Sequence, residues 1–166
     1  MRILKPPTVL LFRGEGVDEK QEQAMRVLIV ENDVSLAAFV KASLESWGYQ
    51  AQHCAKGADA LRRFKAGLHD LVVMEVSLPD IKGEALISSL KEISPEVKIV
   101  AVTGSNSREL EARIREQGIL YYMVKPFETE NLKVLLEHLS KRHLVATSQV
   151  SVRSNAGKKM PSQKKV

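Results

Sequence analysis

From Met25 onward, short apolar runs alternate with longer stretches in which apolar residues return every three or four positions. The runs predict strands over Val27–Val30, Tyr49–Cys54, Asp70–Met74, Val97–Val102 and Leu120–Val124. The longer stretches predict helices over about Ser35–Trp47, Ala58–Lys65, Glu84–Glu92, Ser107–Gln117 and Thr129–Leu139. Helical spacing puts Leu36, Phe39, Val40, Leu44 and Trp47 on one face of the first helix. It turns Ala60, Leu61 and Phe64 inward on the second and Ala85, Leu86 and Leu90 on the third. Leu132, Leu135, Leu136 and Leu139 form the buried side of the last. Asp33 or Ser35 can cap the first helix, and Gly48, Gly67 and Gly118 stand where helices stop. The result is five strand–helix units. Strands one, three and four are apolar nearly throughout, as parallel strands covered on both faces should be. Right-handed crossovers then give an α/β fold with a five-stranded parallel, doubly wound sheet. In such a sheet, functional groups gather beyond the carboxyl ends of the strands.

Charge divides the 166 residues unevenly. The formal net charge is +5, yet residues 25–140 carry 14 basic and 16 acidic side chains. Residues 141–166 hold seven basic groups and no acidic one, so the basicity belongs to the tail. We therefore expect an N-terminal extension over 1–24, poorly ordered, a folded domain over 25–141 and a disordered basic tail over 142–166. The extension contains an apolar piece, Thr8-Val9-Leu10-Leu11-Phe12, that is too short for a secretory core. No run is long enough to span a membrane, and the single cysteine, Cys54, fits a reducing compartment, so a cytoplasmic location is expected. The tail could draw nucleic acid weakly, but it lacks the interleaved aromatics that single-strand binding uses. His53, His69, His138 and His143 show no metal-ligand spacing.

Polar residues mark the ends of four predicted strands. Glu31, Asn32 and Asp33 follow the first, Glu75 the third, Thr103 and Gly104 the fourth, and Lys125 and Pro126 the fifth. Carboxylates and an amide facing a lysine and a hydroxyl could hold Mg²⁺ and an anionic oxygen group between them.

The order Val-Leu-Ile-Val-Glu-Asn-Asp, Asp-Leu-Val-Val-Met-Glu-Val-Ser-Leu-Pro, Val-Ala-Val-Thr-Gly and Tyr-Tyr-Met-Val-Lys-Pro-Phe resembles the receiver domain of two-component response regulators, from about Met25 to Lys141. The resemblance implies a flavodoxin-like (βα)5 sheet. It implies that an aspartate at the Glu75 position takes a phosphoryl group from a histidine kinase. An acidic pair at the Glu31 and Asn32 positions, the Glu75 position and the Ser77 backbone carbonyl would hold Mg²⁺. Thr103 and Lys125 would bind phosphoryl oxygens, and Tyr122 would be the aromatic that turns inward on activation. The Lys125–Pro126 bond is usually cis in such domains.

This sequence departs from that pattern at two positions. Glu75 stands where the acceptor aspartate is expected, its carboxylate about 1.5 Å further from the backbone. Asn32 brings no negative charge, so Mg²⁺ binding is expected to weaken. The longer acid could pair with Lys125 and reach toward Thr103. The sequence therefore predicts a stand-alone receiver-like module in phosphorelay signalling that is not an enzyme and is not phosphorylated in the ordinary way. It would contact a histidine kinase or other signalling protein through the fourth helix, fifth strand and fifth helix, with Arg108, Arg113 and Arg115 as surface charges. The alternative is a working phosphoacceptor domain that uses Mg²⁺ and another carboxylate, Asp33 or Asp80.

Overall fold

The computed structural model describes residues 24–140 except 68 and 106. The expected basic tail, and the expected extension apart from Ala24, lie outside the described residues. Five strands, β1 (Arg26–Val30), β2 (Gln50–Cys54), β3 (Leu71–Glu75), β4 (Lys98–Thr103) and β5 (Tyr121–Val124), alternate with α1 (Val34–Ser46), α2 (Gly57–Lys65), α3 (Gly83–Ile93) and α4 (Arg108–Glu116). A fifth helix, α5, covers 129–140. All strand pairs are parallel, in the order β2-β1-β3-β4-β5. After β2 the chain crosses to the other side of β1 and lays down β3, so the sheet reverses its winding between β1 and β3. That crevice is where an open α/β sheet offers a site.

Strand alternation divides the core. Leu28, Val30, Val72, Met74, Ile99, Ala101 and Tyr122 face Phe64 of α2, Leu86, Ile87 and Leu90 of α3 and Ile114 of α4. Val27, Ile29, Leu71, Val73, Val100, Val102 and Met123 face Val40 and Leu44 of α1 and Leu132, Leu136 and Leu139 of α5. The alternating residues of the central strands are therefore buried on both sides, which accounts for the unbroken apolar runs.

Two helices keep most of the expected inner face, Val40 and Leu44 in α1 and Leu86 and Leu90 in α3, but each departs from it at one residue, Phe39 and Ala85. α1 buries Ala37, Val40 and Leu44, and Phe39 is 58% exposed. The sequence VSLAAFVKASLES is apolar around much of its circumference, so periodicity alone does not choose its inner face. The phase is set at the start, where Asp33 Oδ1 accepts from the Ser35 and Leu36 amides at 2.9 and 3.0 Å. Similarly, α3 buries Leu86, Ile87 and Leu90 and leaves Ala85 exposed. Its first residue, Gly83, lies so close to the β3 exit that a Cβ there would come within 2.7 Å of Val76 Cγ1 and 2.8 Å of the Val76 carbonyl.

Candidate functional site

The same alternation that divides the core assembles the site. Glu75 continues the side-chain parity of Leu71 and Val73, and Glu31 that of Val27 and Ile29. Lys125 continues the parity of Met123. These three side chains therefore leave the sheet on the α1/α5 side. Because Val30 is paired with Met74, the two glutamates stand side by side at the ends of adjacent strands. Glu75 is itself the last residue of β3, paired with Val102, one position later than the strand end expected from sequence.

Lys125 Nζ lies 2.6 Å from Glu31 Oε2 and 2.6 Å from Glu75 Oε2. The remaining oxygens are held by backbone donors two residues on: Asp33 N–H donates to Glu31 Oε1 at 2.9 Å, and Ser77 N–H donates to Glu75 Oε1 at 2.8 Å. Both carboxylates are buried, at 6% and 5% exposure. Below them Leu36, Val40, Val73, Val102 and Phe127 line a cavity of about 10 Å³, room for a single water. Two carboxylates against one ammonium leave one net negative charge over an apolar floor. Burial alone would pull the Lys125 ammonium down, but hydrogen bonds from it to Glu31 and Glu75, with their charges, outweigh that and raise its pKa above 10.5.

Thr103 and Tyr122 have the opposite parity, that of Ile99 and Ala101, and belong to the α3/α4 side. Thr103 is fully buried, and its hydroxyl is used within its own loop. It donates to the Ser105 carbonyl and accepts from the Ser105 amide, both at 3.1 Å. Its link to Lys125 runs through the backbone, the Lys125 amide donating to the Thr103 carbonyl at 2.8 Å. Glu75 therefore reaches Lys125 without engaging the Thr103 hydroxyl. Tyr122 points inward at 6% exposure, with the Arg115 guanidinium 5.6 Å from its ring centroid and no hydrogen bond to its hydroxyl among the described residues. Burial raises its pKa; the charges of Glu111 and Glu75 add to this and Arg115 opposes it. The Lys125–Pro126 peptide is cis.

Asn32 is exposed. Asp33 caps α1, and Asp80 accepts from the Gly57 and Ala58 amides at 3.1 and 3.0 Å at the start of α2. The fit to a hard divalent cation is poor. A lysine ammonium already bridges the only two buried carboxylates among the described residues, and no group of three acidic, histidine or cysteine side chains there could hold a metal.

Sequence reasoning missed three contacts. It gave Glu31 a metal-binding role and named only Glu75 as an ion-pair partner of Lys125, whereas Glu31 is a partner of Lys125 too. It weighed His53 only as a metal ligand and gave it no contact, whereas its Nε2 lies 2.8 Å from the Glu31 carbonyl. It also left Asp80 without its capping role. Counting side-chain parity along each strand would have found the first of these, because β1, β3 and β5 put their exits on one face.

The sequence matches the Response regulator receiver domain over residues 27–137. The chain belongs to that family. A "Transcriptional regulatory protein ZraR" of Escherichia coli O157:H7 is 28% identical over 120 residues, 72% of this chain and 27% of that protein. A "Transcriptional regulatory protein PcoR" of Escherichia coli is 30% identical over 117 residues, 70% of this chain and 52% of that protein. The chain thus spans about a quarter to a half of the regulators it matches. Among solved structures, a CheY-like receiver domain protein from Methanospirillum hungatei JF-1 superposes with a TM-score of 0.68 at 25% identity, over 72% of this chain and 95% of that one. The beryllofluoride-activated NtrC4 receiver domain dimer gives 0.66 at 26% identity, over 70% and 97%. The receiver domain of this chain therefore has the flavodoxin-like five-stranded sheet of its relatives. Among the described residues no helix is long and apolar enough to cross a membrane.

Proposed function

We propose that this receiver domain is a signalling module that holds a fixed carboxylate, Glu75, at the phosphoacceptor position and works by protein contact rather than by turnover. The observation that carries the reading is the 2.6 Å pairing of Lys125 with both Glu75 and Glu31. A phosphoryl group entering on Glu75 would have to separate Lys125 from two buried partners and take the Ser77 amide from Glu75 Oε1. Phosphoryl transfer depends on positioning, and about 1 Å of misplacement costs on the order of 10²-fold in rate. Glu75 supplies about one negative charge against the roughly two of a phosphate, so any likeness to the phosphorylated state is partial. Mg²⁺ binds weakly on this reading, because Asn32 adds no charge and the ammonium neutralises one carboxylate. No catalytic step is assigned to the domain. Its partner is a histidine kinase or another signalling protein, met through α4, β5 and α5. On that face Arg113 is tied to Glu84 and Arg115 to Glu111, at 3.1 and 2.7 Å, leaving Arg108 as the freer charge.

The rival reading, phosphorylation at Asp33 or Asp80, requires a carboxylate already occupied in capping a helix. Exposing the chain to a small phosphodonor with Mg²⁺ and measuring intact mass separates the two. We expect no adduct on the native chain and an adduct on Glu75→Asp. A stable adduct mapped to Glu75 would overturn the proposal, and one mapped to Asp33 or Asp80 would establish the rival.

A further inference from the structure

The loop that leaves β3 folds back on itself before α3 begins. Ser77 and Lys82 face each other in an isolated antiparallel bridge, and Gly83 opens the helix. Between this loop and α4 lies a cavity of about 290 Å³. Small-molecule sites occupy about 300–1,000 Å³, so the space suits a compact ligand. Val76, Leu78 and Leu110 supply its apolar wall. Ser77, Lys82, Glu84 and Arg113 supply its polar groups, so the lining carries two cationic side chains against one carboxylate. Arg113 Nε donates to Glu84 Oε1 at 3.1 Å, and the Arg113 Nη groups make no hydrogen bond among the described residues. Lys82 makes no ion pair among the same residues, although its charge reaches Glu84. A second cavity, of about 280 Å³, runs from β5 to the start of α5, but its charged residue is Glu128 and it belongs to the face already assigned to protein contact.

We propose that the cavity between the β3–α3 loop and α4 binds a small organic acid, one carboxylate on a compact apolar body. Charge selects the class. The one net positive charge of the lining balances a monoanion, whereas a phosphate monoester would bring a second negative charge up against Glu84. The Nη edge of Arg113 presents two parallel donors, the geometry that a carboxylate fills, and Arg113 can take the acid without releasing Glu84. Lys82 supplies the second cation from the loop side, while Val76, Leu78 and Leu110 cover the apolar body. The site itself is independent of the role assigned to Glu75. Only its consequence rests on that role: the Ser77 amide that donates to Glu75 Oε1 belongs to the same loop, so a bound acid acts on the segment that holds Glu75, an input that needs no phosphoryl group.

The test is a titration of the isotope-labelled full chain with hydrocinnamate, followed through its backbone amide signals. The expected result is saturable shifts at Ser77, Gly83, Leu110 and Arg113, with the signals of α1 and of the β5–α5 cavity unmoved. Arg113→Gln should weaken binding about ten- to a hundredfold, as the loss of a charge-assisted pair does. Arg113 is more than half exposed, so the variant keeps the fold. Lys65→Gln, an equal loss of charge on α2, should leave binding unchanged. Hydrocinnamyl alcohol, the same body without the charge, should bind at least about tenfold more weakly, and phenethyl phosphate should also bind more weakly than the acid. A site shaped for a ligand of this size reaches millimolar affinity, so the absence of saturable shifts at about 10 mM would overturn the proposal. Equal weakening by Arg113→Gln and Lys65→Gln would overturn it too, as would an alcohol or a phosphate ester that binds as tightly as the acid. None of these outcomes bears on the phosphodonor experiment, so either reading can fail alone.

Discussion

Replacing Lys125 with methionine tests the central ion cluster most directly. The substitution keeps much of the side-chain volume and removes the one cation between Glu31 and Glu75. Breaking a buried ion pair by deleting one partner costs about 3–5 kcal/mol, because the survivor stays buried and uncompensated. Here two carboxylates are stranded, and they also face each other. Two features reduce the cost: each keeps one backbone N–H donor, and the Lys125 side chain is itself 21% exposed. We therefore expect a loss of about 2–4 kcal/mol at neutral pH, read by urea unfolding as a lower midpoint with an unchanged slope. In the background of Lys125→Met, Glu75→Gln should recover part of that loss, because it removes one of the two facing charges. In a native background the same Glu75→Gln should destabilise. That change of sign is the signature of direct coupling. A loss below about 1 kcal/mol, or additive effects of the two substitutions, would mean that the ammonium is effectively solvated, and the reasoning from burial would fail.

Three further outcomes follow from the same geometry. Burial, with Asp59 and Asp80 nearby and Arg63 opposing, pushes the Cys54 thiol up to about 11, so at pH 8 a disulfide reagent should label it on the order of 10²-fold more slowly in the native chain than in urea. The folded-state values of Lys125 and Tyr122 both lie above their ordinary 10.5 and 10.0. Each group's contribution is thus fully present below those values and lost as pH rises through the folded ones, so the urea midpoint should fall on the alkaline side of pH 10. Gly83→Ala should cost about 1–3 kcal/mol by urea unfolding, since the added methyl meets not only Val76 Cγ1 but also the Val76 carbonyl oxygen and Cα, which cannot swing away; a neutral result would mean that the turn relaxes.

By itself the sequence determined the strands, the helices and the winding of the sheet. Those rest on local periodicity, and the unbroken runs of β1, β3 and β4 can be satisfied only by burial on both faces. It also marked Glu31, Glu75, Thr103 and Lys125 as a group, because polar residues closing apolar strands must emerge at one edge. Tertiary structure decided which of them meet. Lys125 lies 94 residues from Glu31 along the chain, and their 2.6 Å contact depends on strand order and on each side chain leaving the same face. Thr103 was lost from the group because a turn two residues long offered its hydroxyl two backbone partners closer than any long-range one. Phe39 faces outward for a related reason: the rotation of α1 about its axis is fixed by its Asp33 cap and its seat on the sheet, and neither is written in the spacing of its apolar residues.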